Sequence, residues 1–479
     1  MGWSIPQAPE PGQAARWSPW VCLFIIGSGC FIALLWIVLN SPPGGLPLIS
    51  SGFYLPVTGA ALGGVILLLL LYFLVVEVRS LWYFNHVTWQ HNVNIAWQRW
   101  AHQHIYVMKS TLLTADAELI SRIAGMPLKD PEDAPSERLL FPDERMSPGL
   151  RRFEGITQNL LQSLNDNIHN LPAGMKVKLI IKTPLILTDK YKKSVENYWS
   201  KNHQKYISEV NLVSETSFAA VWDDIVKSAC PVIVLAMHYY DGHTDVPVAE
   251  IASVLLAMPP ALMTRAEREV TTRLFRPMPV ITGKLSDEMA ELRDMSQQPA
   301  DSVRLLWHSG LNDTCRRKLS AVACELELPL HNSAPSGGVL DFDKDNEKYG
   351  VLSGWLLAAA ATQMVEYGQG TQWVFCSEGK KAWAIVAGNN LPASPEKPDA
   401  LLHPPYPAGT LMLGAILNLV FFSVMAEAYP SWLFSWVGSI VLLLSLLVTL
   451  PGCILLLRRV VAYFQRPRFF QAARPAGKE

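Results

Sequence analysis

Four apolar runs constrain this chain more than any other feature, each about as long as the roughly 20 helical residues that cross a ~30 Å hydrocarbon layer. They extend from about Trp20 to Leu39, Val57 to Val76, Ala408 to Ala426 and Trp432 to Leu457. None contains Lys or Arg; Asn418 and Ser423 interrupt the third, and a Pro451-Gly452 pair falls near the end of the fourth. Trp17, Trp20, Phe53, Tyr54, Tyr406, Tyr429 and Trp432 flank the runs, where amphipathic rings settle at headgroup level. The pattern predicts two transmembrane hairpins, 20–76 and 408–457, bracketing a soluble middle. A cleaved signal peptide is the competing reading of the first run, but a second span follows after a short Pro/Gly loop without a convincing cleavage context.

Positive charge sets the expected orientation, because short loops rich in Lys and Arg stay cytoplasmic. Residues 40–56 and 427–431 contain neither, whereas Arg16 precedes the first run, Arg79 and Arg99 follow the second, and Arg458, Arg459, Arg466, Arg468, Arg474 and Lys478 crowd the tail. Both termini (1–19 and the basic tail 458–479) and the central domain are thus expected in the cytoplasm of a bacterial inner-membrane protein. The tail reads as a topology determinant lying against anionic lipid heads. Seven cysteines without a CxxC spacing suit a reducing compartment.

Composition narrows the middle. With 50% hydrophobic residues, 17 Phe, 16 Trp and 14 Tyr, the chain carries too much buriable surface for large-scale disorder. A net charge of −1 argues against a general nucleic-acid binder. Residues 77–149 read as a juxtamembrane helical region followed by a Pro-rich linker. Trp82, Trp89, Trp97 and Trp100 recur near helical turns with His86, His91, His102 and His104 between them, and Pro127, Pro131, Pro135, Pro142 and Pro148 mark the linker. The His belt lacks an accompanying carboxylate, so an interfacial surface is preferred to a metal site.

From 150 to 390 strand and helix signals alternate, which predicts an α/β domain with partly parallel strands; 391–407 is a second linker. Expected strands are 176–187 (KVKLIIKTPLIL), 210–213, 231–237 (PVIVLAM), 250–258 (EIASVLLAM), one beginning at 304–306, and a closing hairpin 372–376 with 383–387. Expected helices are 189–205, 217–228, 312–326 and the small-residue helix 352–367.

The succession PVIVLAMHYYDG, AEIASVLLAMPP, NDTCRRKLSAVACEL, YGVLSGWLLAAAATQMVEYGQG and QWVFCSEGKKAWAIVAG resembles the C-terminal half of the thiolase/β-ketoacyl synthase fold over about Ala229 to Asn390. The resemblance implies a mixed sheet with flanking helices, an alanine-rich helix beneath the core and a closing hairpin. It would also imply condensing chemistry, which needs a cysteine at a helix mouth, where the N-terminal dipole favours the thiolate, with histidines stabilising the oxyanion. The residues depart from that pattern. Cys230 precedes Pro231 at the entry to a strand, Cys324 lies late in a helix, and Cys376 reads as a small buried hydrophobe. Without the family's histidine motif, His238, His308 and His331 are not carried over as catalytic, and no catalytic residue is assigned.

Other constellations reduce to turns. HYYDGHTD brings together His238, Asp241, His243 and Asp245, types suited to a metal or to acid/base work, yet Asp-Gly after a strand is an ordinary turn. Because loops at strand ends carry function, Tyr240, Asp241 and His243 are the expected binding residues. Asp341, Asp343, Asp345 and Glu347 depart from a calcium loop in the positions of its Gly and terminal Glu. Gly337-Gly338 is too short to cradle phosphate, and no GxxxxGK[ST] occurs. No metal and no cofactor are expected, and spans without ionisable residues argue against ion-coupled transport.

In overall character the chain also resembles bacterial inner-membrane proteins that accompany lipase effectors of type VI secretion. The functional expectation is therefore a non-enzymatic accessory or adaptor protein, with the lipid bilayer, a protein partner (a secreted effector or secretion component) and a second copy of itself as candidate contacts, and no nucleic acid. The alternative is a membrane-bound acyl-transfer or condensing enzyme.

Overall fold

The computed structural model describes residues 2–3, 10–39, 51–115, 139–141, 147–185, 187–214, 216–242, 249–331, 338–343, 349–378, 381–392, 403–433 and 435–473 of the 479. The chain divides into two compact units, Met1–Ser4 with Ala96–Ser394, and Ile5–Ile95 with Pro395–Glu479. Helix α1 is Pro19–Leu39 and α2 is Ser51–Ala101. The second span thus continues without a break through the Trp- and His-bearing stretch.

The first unit contains, in chain order, β1 His104–Thr114, α3 Leu150–Gln162, α4 Asn165–His169, β2 Lys176–Lys182, α5 Asp189–Asn202, β3 Ile207–Val213, α6 Phe218–Lys227, β4 Val232–His238 and β5 Ile251–Met258. There follow α7 Arg265–Val270, β6 Thr272–Phe275, β7 Met278–Val280, α8 Leu285–Asp294, β8 Val303–Ser309, α9 Asp313–Glu325, β9 Val339–Asp341, α10 Ser353–Glu366, β10 Thr371–Glu378 and β11 Lys381–Gly388. The helix expected to fill the juxtamembrane region therefore ends at Ala101, and β1 begins the sheet inside that region. His104 belongs to a strand because the β-branched and aromatic run IYV that follows it pairs on both sides, with β5 and β6.

A mixed sheet with flanking helices, as expected of a thiolase-like domain, is what the chain builds. Its strand order is β3-β2-β4-β5-β1-β6-β11-β10-β8-β9, with β7 paired to β11. Exchanging β1 to β5 for β6, β8, β9, β10 and β11 reverses this order onto itself. Polarity follows the same rule: β2 is parallel to β3 and β4, and β4 antiparallel to β5; β8 is parallel to β9 and β10, and β10 antiparallel to β11. The domain is thus two copies of one βαβαβαββ motif joined at the antiparallel β1–β6 pair. β4 and β5 close the first copy, so the duplicated architecture runs from β1 to β11.

Burial explains the layers. In β4 and β5 every residue but His238 is buried, as in strands covered on both faces. One face of the first copy carries α3, α4 and α5, whose Phe153, Ile156, Leu160, Ile168, Val195 and Trp199 meet Leu179, Ile181, Ile233 and Leu235. The opposite face meets α6 and α10, with Ile180, Val232 and Val234 sharing one core with Leu305, Trp307, Val374 and Ile385 of the second copy. Helix α10 is the middle of the domain. Twelve of its 14 residues are buried, including Ala358, Ala359, Ala360 and Ala361, and only such small side chains let sheet backbone approach it from several strands. Its Thr362 hydroxyl donates to the Ser110 hydroxyl of β1 at 2.8 Å.

The second unit closes with α11 Ala408–Ala428, α12 Pro430–Leu433 and α13 Trp436–Ala472. Among the described residues four helices are long and apolar enough to cross a membrane: α1, α2, α11 and α13. The fourth helix continues beyond the apolar run that ends at Leu457; Pro451 is accommodated and the helix runs on to Ala472, as prolines are in membrane helices when neighbouring groups re-satisfy the backbone. Asn418 donates to Thr449 Oγ1 at 2.5 Å and accepts from Ser445 Oγ at 2.7 Å, so the polar residue of the third span joins α11 to α13. Glu77, at the end of the second apolar run, accepts from the Thr410 amide and hydroxyl at 2.8 Å each and so caps the α11 N-terminus, whose preceding residue is a proline.

Candidate functional site

In a sheet of this kind the crevice outside the carboxyl ends of the parallel strands, at the reversal of strand order, is where ligands bind. The reversal falls between β2 and β4 in one copy and between β8 and β10 in the other. Lys182 pairs in register with Ala236, and Ser309 with Cys376. The motif's twofold therefore equates Lys182 with Ser309 and His238 with Glu378. Alternation along each strand aims these four toward the α6/α10 layer, since Ile180, Ala236, Trp307 and Cys376 on the same faces belong to that core. They carry an amine, a hydroxyl, an imidazole and a carboxylate.

The two helices open onto this crevice at their N-termini. The Phe218 ring at the start of α6 packs on Trp355 of α10 with centroids 4.4 Å apart. Gly354 makes that contact feasible, because a Cβ there would lie 2.9 Å from the Phe218 ring. Ser217 is the N-cap of α6 but its side chain caps nothing. The cap comes instead from the other copy: Glu378 Oε2 accepts from the Phe218 amide at 3.2 Å and from Trp383 Nε1 at 3.2 Å. Its second oxygen is buried without a partner. Burial pushes the Glu378 carboxyl above its ordinary range, opposed by the Phe218 amide and Lys182. Lys182 is wholly buried, donates to the Thr216 carbonyl, and is pushed below the ordinary lysine value by burial, with Glu378 acting against the shift. The positive end of α6 is thus already matched to a carboxylate of the protein itself.

The opposite twofold position is similar in placement and different in content. His238 packs edge-on to Tyr349, just before α10, at 5.6 Å, and its Nδ1 lies 3.5 Å from the Ala249 carbonyl. Ser309 donates to Asp343 at 2.7 Å, and the Gly310 amide to the same carboxylate at 2.6 Å. Gly310 needs its left-handed φ of 73°, and a Cβ there would meet the Ser377 carbonyl at 2.8 Å. His308 faces the other side of the sheet, 3.6 Å from Asp341, which accepts from Arg316 of α9 at 2.6 Å. Burial lowers the His308 imidazole from its ordinary value, with Asp341 pulling it back up. The sheet therefore separates His308 from Glu378 and Lys182. His331 precedes Asn332 in the connection after α9, its amide donating to the Arg304 carbonyl, away from the crevice.

The loop expected to bind, 238–245, leaves the same carboxyl edge. Tyr240 and Asp241 are half-buried, and His243 lies outside the described residues, as do Asp245, Gly337, Asp345 and Glu347. The Tyr240 amide donates to Glu250 at 2.9 Å. Glu250 is itself clamped by Arg152 at 2.5 and 2.6 Å, an ion pair that fixes the base of the loop. No group of three or more His, Cys, Asp or Glu that could hold a metal occurs among the described residues.

No thiol stands at either helix mouth. Cys230 is at the opposite edge of β4, hydrogen-bonded to Ser228; Cys315 is in the first turn of α9; Cys324 is exposed in the last turn of α9. Cys376 is fully buried two residues before Glu378 on β10, and burial pushes its thiol well up. The sequence signal that could have located Glu378 and Lys182 was weak, since each is a lone charge at the end of an apolar run.

No protein-family model and no curated protein sequence matches the chain. Solved structures do. OleA of Xanthomonas campestris is 9% identical, covering 60% of this chain and 99% of its own, with a TM-score of 0.38. A tetronic acid condensing enzyme is 11% identical, covering 59% and 99%, with a TM-score of 0.36. The 3-oxoacyl-[acyl-carrier-protein] synthase III of Aquifex aeolicus is 12% identical, covering 59% and 99%, with a TM-score of 0.32. At these values the likeness says nothing about chemistry, which rests on the residues.

Proposed function

We propose that this protein is a membrane-anchored, thiolase-like binding domain without thioester chemistry, acting as a non-enzymatic accessory or adaptor protein. The observation that carries this reading is the α6 helix mouth: the amide that would favour a bound thiolate donates instead to Glu378, and no cysteine adjoins it. The duplicated sheet supports thiolase-like ancestry. The charge bias beside the four spans supports an inner-membrane location with both termini and the α/β domain cytoplasmic. Tyr240 and Asp241, with His243, form the contact loop in this reading, seated on the Arg152–Glu250 pair. A secreted effector or secretion component as partner rests on the resemblance in sequence character alone.

The rival reading is the acyl-transfer or condensing enzyme to which the names of the solved structures point, and the buried Lys182 and Glu378 supply it with acid/base groups. One experiment separates the two. The full-length chain in detergent is incubated with acyl-coenzyme A and acyl-carrier-protein thioesters, then weighed intact. Unchanged mass and no release of free thiol fit the binding domain; a stoichiometric acyl adduct, or turnover lost in Glu378→Gln, establishes the enzyme.

A further inference from the structure

The second unit contains a pocket of about 970 Å³ where the start of α1, the middle of α2 and the start of α11 meet. Its lining is two-faced. Phe73, Val76, Phe84 and Ala408 offer apolar surface, while Arg16, Tyr83, His403 and Tyr406 offer polar groups. Three contacts fix the walls at one level along the helices: the Ser18 amide to Tyr72 at 2.8 Å, Ser80 to the Ala15 carbonyl at 2.8 Å, and Glu77 to Thr410. That level is where the apolar runs of α1 and α11 begin and that of α2 ends, so if the helices span a bilayer it is the headgroup level.

The charges in the pocket decide the ligand. Glu77, its one carboxylate, is committed to the α11 N-terminus through both oxygens. Arg16 is exposed and forms no hydrogen bond or ion pair among the described residues. A free guanidinium above an apolar floor, with aromatic rings at the rim, matches a molecule carrying an anionic phosphate and acyl chains. We infer that this pocket binds one anionic glycerophospholipid, its phosphate on Arg16 and its chains along Phe73 and Val76. This rests on the membrane-anchored reading above.

The test uses full-length protein in nanodiscs of phosphatidylcholine with phosphatidylglycerol, re-extracted into mild detergent and weighed by native mass spectrometry. Retention of one phosphatidylglycerol in preference to phosphatidylcholine is expected. Arg16→Glu should reduce it roughly tenfold, the equivalent of losing one good charge contact, and Arg16→Gln less. Arg459→Glu, outside the pocket, should leave it unchanged, and excess inorganic phosphate or glycerol 3-phosphate should fail to displace the lipid. Equal retention of both lipids, or indifference to Arg16→Glu in protein of unchanged melting temperature, overturns the inference; displacement by inorganic phosphate makes it a free-phosphate site instead. Release of the chain from vesicles by alkaline carbonate would overturn the anchoring itself, a result distinct from an integral protein that holds no lipid.

Discussion

The two copies of the βαβαβαββ motif share strand order and polarity, yet they are finished differently. In the first copy β3 has seven residues and the outer helices bury a closed ion pair, Arg152–Glu250, with side chains 3% and 0% exposed. In the second, β9 has three residues and the corresponding outer face relies on Arg316–Asp341, with side chains 31% and 19% exposed. At the crevice the first copy contributes Lys182 and His238, and the second Ser309 and Glu378. The backbone thus repeats where packing demands it, and the residues at the strand ends differ between the copies, with no thiol at either helix mouth.

The largest expected effect probes the ion pairs. Arg152→Ala leaves the Glu250 carboxylate buried and unpaired and should cost about 3–5 kcal/mol, whereas Arg316→Ala, whose partner reaches solvent, should cost about 1 kcal/mol or less. Chemical denaturation of the two variants measures the contrast, and equal costs would remove the distinction between the copies.

Next comes the seam. His104 of β1 packs against Tyr106 of the same strand and Phe275 of β6 at 4.8 and 5.2 Å, and burial lowers its pKa from 6.5 to about 4, opposed by its hydrogen bond to the His102 carbonyl and aided by the Arg273 charge. Because the folded value is depressed, its contribution is intact above pH 6.5 and is lost as pH falls toward 4. The stability lost is on the order of 2 kcal/mol after discounting for partial exposure. His104→Gln should flatten the melting temperature across that window; an unchanged slope would place the pH sensitivity elsewhere.

The central helices give a smaller contrast. Ala359→Leu in the enclosed α10 should overpack at roughly 1–3 kcal/mol, while Ala220→Leu on the exposed face of α6 should stay within about 0.5 kcal/mol. Thermal melts of the pair decide whether α10 is the shared core of both copies.

Much of this architecture was legible in the residues. The apolar runs announced the four long helices, and PVIVLAM, EIASVLLAM and the alanine run of α10 announced buried elements, since continuous burial leaves a continuous apolar record. β1 was not legible, because HIYVMKSTLLT follows a helix without a breaker and looks like its continuation. β6, β7 and β9 are too short for alternation to register. The duplication was invisible because equivalent positions differ in residue type, and so was the crevice: Lys182 and Glu378 lie far apart in sequence and come together only through the fold.

The claim that the α6 mouth is closed to thiolate chemistry by Glu378 can be tested directly. Ser217→Cys places a thiol at the N-cap, and its alkylation rate against pH reports its pKa. Next to the Glu378 carboxylate the thiol should react slowly, with a pKa at or above the ordinary thiol value near 8.5. In the Ser217→Cys/Glu378→Gln double variant the helix end is released, and the pKa should fall by about one unit or more. A fast, acidic thiol in the single variant, unaffected by the second substitution, would contradict the account and return the crevice to the condensing enzymes.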